Sequence, residues 1–138
     1  MVDYVDIVNS LSGVSRDQLN ELELDILVLS EFAFEVELGG WTKYFDSNSG
    51  DDLYRLLDAA KRHSFDQLSL WIEKVASEFP QLVSAEYDTR SVAAGEVSES
   101  RYRHYDEFNL AEEAIDLWEE LTKQNFETLE LNYNTRLQ

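Results

Sequence analysis

The chain has no cysteine, one proline, five glycines and two histidines among its 138 residues. Without cysteine there is no disulfide framework and no thiolate chemistry, a usage that fits a reducing compartment, so a cytoplasmic location is expected. So little proline and glycine leaves few helix breaks, and most of the sequence runs at helical period. Positive charge is also scarce: 11 Lys and Arg stand against 29 Asp and Glu, a formal net charge of −18. That balance repels nucleic acid and anionic membranes and favours a basic partner. No apolar run reaches bilayer length, and the start Met1-Val2-Asp3-Tyr4-Val5-Asp6 is acidic where an export signal is basic, so neither that export route nor an anchor is expected.

What is present is enough to fold. Apolar residues make up 43% and aromatics 12%, so the high charge does not imply disorder, which also requires low hydrophobicity. The length suits one domain over 1–138 with one core. The expected class is all-α: a bundle of about six or seven helices, with a motif-bearing core over about 16–80 and an acidic helical region over about 104–138.

A short first helix is expected over Val2 to Leu11, ended by Ser12-Gly13. Ser15 then caps a long second helix, in which Leu19, Leu22, Ile26, Leu29, Ala33 and Val36 recur at three- and four-residue steps. Leu27, Phe34 and Leu38 widen that stripe, which makes this helix central, and Gly39-Gly40 ends it. Leu53, Leu56, Leu57 and Ala60 face inward on the next helix. Ser64 with Gln67 resembles a capping box for another, with Phe65, Leu68, Ile72, Val75 and Phe79 as core, and Pro80 stops it. Residues 84–103 read as a long loop, with an edge strand admissible within Gln81 to Tyr87. A helix capped by Asn109 and Glu112 runs to about Leu121, and the tail through Phe126, Leu129 and Tyr133 reads as a further helix.

Charge is unevenly distributed. Residues 1–40 hold nine acids and one base, residues 41–80 seven and five, and residues 81–138 thirteen and five. On the helix near Asn109, Glu112, Glu113, Asp116, Glu119 and Glu120 fall within about a third of the circumference, with no Lys or Arg between them. Like charges at i,i+4 cost a helix a few tenths of a kcal/mol each, so folding alone would favour Glu-to-Lys pairs there. Asp17, Glu21, Glu31 and Glu35 form a second row on the long helix, interrupted by Leu24 and Val28. These nine carboxylates are the candidate partner-binding residues, acting as surrogates for phosphates. The net charge of −18 equals that of roughly nine base pairs of duplex.

The segment Gly39 to Asp51 pairs two glycines with aromatics and a polar run. It lacks the GxxxxGK[ST] pattern of a phosphate loop and the oxygen spacing of a calcium loop. It therefore reads structurally: Gly39, Gly40 and Gly50 supply backbone freedom, Trp41, Tyr44 and Phe45 anchor a bend, Asn48 lies in the polar turn, and Ser49 or Asp51 caps the next helix. Catalytic chemistry has little to build on. Neither His63 nor His104 has Asp or Glu three residues before it, HExxH is absent, and no metal or cofactor is expected. His63 fits a helix C-terminus, and Arg90, Arg101, Arg103 and His104 form a basic cluster suited to surface pairing.

Leu38-Gly39-Gly40-Trp41-Thr42-Lys43-Tyr44-Phe45-Asp46-Ser47-Asn48-Ser49-Gly50-Asp51 resembles the N-G-G-F-x-Q-Y-F-x-N-S-x-G-D signature of the bacterial nineteen-kilodalton DNA-mimic protein family. Leu38, Trp41 and Lys43 depart from it, and the Asn-Ser order is inverted at Ser47-Asn48. The resemblance covers about residues 20–80. It implies a helical fold and, for the mimic member, occupation of the DNA site of a DNA-binding protein. Joined to the charge pattern, it leads to a non-enzymatic protein that blocks a basic, DNA-binding partner: a transcription factor, nucleoid protein or nuclease. A homodimer is compatible with this. Two alternatives stand beside it: an immunity-type inhibitor of a basic toxin, and a small enzyme with a pocket near Trp41, Tyr44 and His63.

Overall fold

Asp3 opens the first helix by accepting the Val5 N–H at 3.2 Å, while the Asp6 carboxylate reaches back to the Asp3 N–H. The computed structural model describes residues 3–79, 81–100 and 107–138. Seven helices run among them: α1 (Tyr4–Leu11), α2 (Glu21–Phe45), α3 (Leu53–Arg62), α4 (Asp66–Ser77), α5 (Tyr87–Ser100), α6 (Glu107–Gln124) and α7 (Phe126–Leu137). Short 3-10 turns at Arg16–Gln18 and Asn48–Asp52 flank α2, and no strand is present among the described residues. The all-α bundle expected from the sequence is the observed class.

α2 is the central helix, as its wide apolar stripe predicts. It packs against α1, α3, α5 and α6, and its longest interface is with α6. Ile26, Leu29, Phe32 and Val36 are fully buried along it. Beyond the glycine pair, Trp41, Tyr44 and Phe45 turn into the same core. The Phe32 ring meets those of Tyr44 and Trp71 edge-on at 5.4 Å, and Phe45 lies 5.4 Å from Phe79. Such ring pairs add about 0.5–1.5 kcal/mol each beyond the area they bury.

Several boundaries differ from the sequence reading. α2 does not begin at Ser15. Asn20 is its cap, accepting the Glu23 N–H at 2.8 Å while Glu23 accepts the Asn20 N–H, a reciprocal cap stronger than a lone serine. Gly39-Gly40 breaks α2 without ending it. Gly40 sits at φ +75°, and a Cβ there would also stand 3.2 Å from Glu107 Oε1, so helix resumes at Trp41 only because this position is glycine. Ser64 makes no cap for α4. It takes φ +56° in the turn, and Phe65 occupies the cap position.

The largest departure is α5, which spans much of the expected 84–103 loop. Its sequence lacks an apolar stripe, yet Arg90, Ala94 and Val97 bury inward on α5, so tertiary packing supplies what periodicity did not. Phe34 and Leu38, expected to widen the core stripe, are each 61% exposed. Ile26, Leu29, Phe32 and Val36 already fill the inward side, which leaves that shoulder of α2 uncovered. Neither Ser49 nor Asp51 caps α3, whose cap position is Asp52. Pro80, Arg101, Arg103 and His104 lie outside the described residues.

Candidate functional site

α6 lies against α2 through Leu110, Ala111, Ala114 and Leu121, which are buried. Its first residue, Glu107, stands beside Gly40, and Ile115 and Trp118 border the middle of α2, so the two helices run antiparallel. That seating forces the opposite side of α6 outward. Glu112, Glu113, Asp116 and Glu120 are exposed and Glu119 half-buried. The Glu120 carboxylate accepts from Gln124 Nε2 at 3.0 Å. None of the five forms an ion pair with a described residue. At 1.5 Å rise per residue the carboxylates of this crest follow one another at roughly 5–6 Å.

The second expected row is built differently. Arg16 reaches Glu31 at 3.3 Å, Arg62 reaches Glu21 at 2.9 Å, and Lys43 stands 3.4 Å from Glu35. Asp17 accepts from the Ser15 hydroxyl in the turn before α2. Three of these four carboxylates therefore carry a cation already, and the row is not a continuous anionic ridge. Sequence spacing could not show this, because the cations come from three different segments. Burial raises the Glu31 pKa above the ordinary carboxylate value, and Asp52 and Glu35 add to the rise against the opposing Arg16.

Two hollows flank the α6 crest. The smaller, about 300 Å³, is lined by His63, Ser64 and Phe65 at the α3–α4 corner and by Glu113, Asp116, Leu117 and Glu120 of α6. His63 follows the last turn of α3, as expected, and its Nε2 lies 2.8 Å from the buried Asp25 carboxylate. Arg62 clamps the same carboxylate through Nε at 3.0 Å and Nη2 at 2.6 Å. Asp25 thus ties α2 to the end of α3. That tether escaped sequence reasoning because Asp25 sits within an apolar stretch with no nearby cation. The larger hollow, about 480 Å³, runs along the outer face of α2 between α1 and α6, with Phe34, Ile115 and Trp118 among its walls.

The Gly39-to-Asp51 segment serves a role that its composition concealed. Arg90 of α5 is fully buried and donates from Nε to the Phe45 carbonyl at 2.8 Å, from Nη1 to the Ser84 carbonyl at 3.1 Å, and from Nη2 to the Ser47 carbonyl and to Asp51. Placing Arg90 in a surface cluster is therefore corrected: it is the pin that holds the bend to α5. Asn48 and Ser49 lie in the 3-10 turn of this bend. Neither Trp41 nor Tyr44 lines the hollow beside His63. Tyr44 is wholly buried, its hydroxyl accepts no hydrogen bond among the described residues, and burial pushes the phenol pKa far up. Among the described residues no group of three or more His, Asp or Glu is arranged to hold a metal ion. No helix among them is long and apolar enough to cross a membrane. No protein-family model matches the chain, nor does any curated protein or solved structure.

Proposed function

We propose that this protein is a non-enzymatic binding protein that presents the outer crest of α6 to a basic, DNA-binding protein and occupies its nucleic-acid site. The observation that carries the reading is a contrast in pairing. The buried carboxylates Glu23 and Asp25 and the half-buried Glu31 and Asp52 each hold an Arg, whereas Glu112, Glu113, Asp116 and Glu119 hold no cation among the described residues. Cations are limited to 11 Lys and Arg, and Arg16, Arg62, Arg90 and Arg136 are engaged by carboxylates of other elements. An exposed row of carboxylates on a rigid helix, inside a net charge of −18, suits a surface that normally reads phosphates. The resemblance of Gly39 to Asp51 to the DNA-mimic family supports the same reading. A transcription factor, a nucleoid protein or a basic nuclease would all offer cations suited to this crest.

The test is affinity capture from the native host at low and high salt, followed by titration of the captured partner. Binding should weaken steeply as ionic strength shortens the screening length to about 8 Å. Charge reversal at Glu112, Asp116 and Glu119 together should cost about tenfold or more, mainly in association rate. DNA carrying the partner's site should compete. A partner that is not basic, or unchanged affinity after the triple reversal, overturns the reading.

A further inference from the structure

Resting on that reading of a basic partner, we infer that the groove on the outer face of α2 is its apolar anchor: it takes a basic amphipathic segment that seats an apolar side chain against Phe34 and Trp118, with Lys or Arg on either side. The groove measures about 480 Å³, and Val8, Leu27, Phe34, Ile115 and Trp118 give it an apolar lining. Phe34 is 61% exposed within it, and Leu38, one turn further along α2, is equally exposed. Among the described residues of α2, Phe34 and Leu38 are the large apolar side chains left exposed.

The rim decides what can cover it. Glu37 is exposed and makes no ion pair with a described residue. At 100° per residue, Glu112 and Glu119 lean to the same side of α6 as Ile115, so two carboxylates of the crest adjoin the α6 wall of the groove. Across the groove, Glu31 is matched by Arg16 and Glu35 by Lys43, while Asp52 is held by Arg16 and Arg55 together. The surplus negative charge at the rim therefore comes from Glu37 and from the adjoining carboxylates of α6. A purely apolar occupant would desolvate those carboxylates without compensation. A second copy would bring its own −18 against this chain's −18. An apolar side chain flanked by cations satisfies floor and rim together, since Lys and Arg lay apolar stems along a groove while their charged ends reach its edge. Sequence spacing alone missed this site, because Phe34 reads as core and Trp118 as part of the inward face of its helix.

Trp118 is a built-in probe, because Trp41 and Trp71 are buried. The experiment titrates the full chain with a helical peptide of about 14 residues, Leu on one face and Lys on the other, and with oligolysine of equal charge, at roughly 0.15 M salt. Trp118 emission and acrylamide quenching are read alongside calorimetry, and Trp118→Phe supplies the blank. The amphipathic peptide should bind at least tenfold more tightly than oligolysine and shield Trp118 from quencher. Phe34→Ser should lower its affinity about tenfold and leave oligolysine unchanged. Circular dichroism confirms that the variant is folded, and Glu37→Lys provides a second variant that should weaken the peptide without touching the floor. Equal binding of the two peptides, or an unaffected Phe34→Ser, overturns the groove. If the triple charge reversal on α6 still abolishes binding in that case, the crest reading stands without it. Loss at Phe34 with no effect of the reversal keeps the groove and overturns the crest. No binding by either peptide overturns the groove and counts against both.

Discussion

The guanidinium of Arg90 fills the space beside Gly50 that a side chain would need: a Cβ on Gly50 would lie 2.6 Å from Arg90 Nε and 2.8 Å from its Cζ. Both positions are buried, and the guanidinium is held by three backbone carbonyls and Asp51, so it cannot swing aside. Gly50→Ala should therefore cost about 1–3 kcal/mol, as overpacking does elsewhere. Arg90→Met should cost ~3 kcal/mol or more, since buried carbonyls lose their donors. Urea unfolding of both single variants and the double should give strong non-additivity, with Gly50→Ala nearly harmless once Arg90 is gone. Simple addition of the two losses would refute the pin.

Arg136 near the C-terminus grips both oxygens of Glu23 at 2.7 and 2.8 Å, across 113 residues of chain. Burial pushes the Glu23 carboxyl up, but the hydrogen bond from Arg136, the Asn20 N–H and the Arg136 charge together outweigh it and leave the pKa below its ordinary 4.5. A lowered carboxylate contributes stability that is present above the unfolded value and lost as pH falls through the folded one. Wild type should weaken in that acid window, and Glu23→Gln should flatten this part of the profile. Arg136→Gln, which strands the buried carboxylate, should cost about 2–3 kcal/mol at neutral pH.

Glu31 should show the opposite sign. Its pKa is raised by burial, with Asp52 and Glu35 adding to the rise, so the folded state binds its proton more tightly than the unfolded chain. The associated stability is fully present below the ordinary carboxylate value and is lost as pH rises through the raised one. Thermal melts of Glu31→Gln against wild type should converge on acidification and separate toward neutral pH, the variant gaining relative to wild type. A gap that widens on acidification would contradict the burial of Glu31.

The α6 crest should be a cost to the fold. Glu112, Asp116 and Glu120 repel at i,i+4, and each such contact is worth a few tenths of a kcal/mol. Asp116→Lys should raise stability by about 0.5–1 kcal/mol while weakening partner binding. A lower melting temperature would mean that Asp116 supports the fold instead.

Trp118 should dominate the quenchable fluorescence. Trp41 and Trp71 are 9% and 5% exposed, whereas Trp118 lies half-buried beside Tyr4, ring centroids 6.4 Å apart. Trp118→Phe should remove most of the acrylamide-sensitive emission, read as a drop in the quenching constant. An unchanged constant would place the accessible indole elsewhere.

Much of the bundle was legible along the chain. Ile26, Leu29, Ala33 and Val36 bury as their spacing predicts, and so do Leu53, Leu56, Leu68, Ile72 and Val75. The acidic face of α6 could be drawn before any coordinates, because a helix with one apolar stripe has one outward side. α5 was not legible. It carries no long apolar stripe and is held by Ala94 and Val97 in the core and by Arg90 and Ser91, which bond to residues 39 to 45 positions away. The row over Asp17, Glu21, Glu31 and Glu35 was misleading for a related reason: its cations, Arg16, Arg62 and Lys43, come from a turn and two helices.

Composition and period determined that this chain folds, that it folds from helices, that α2 lies at the centre, and that the protein carries a large negative charge. Those properties are sums or local repeats, and each residue contributes to them whatever its distant neighbours are. Tertiary structure decided which carboxylates are matched by a cation, and which apolar side chains stay uncovered, among the described residues. Pairing at 2–4 Å depends on which segments meet, and Arg62 meets Asp25 or Arg136 meets Glu23 only once the helices have packed. The difference between the α6 crest and the α2 row, similar as strings of acids, is therefore a property of the packed bundle alone.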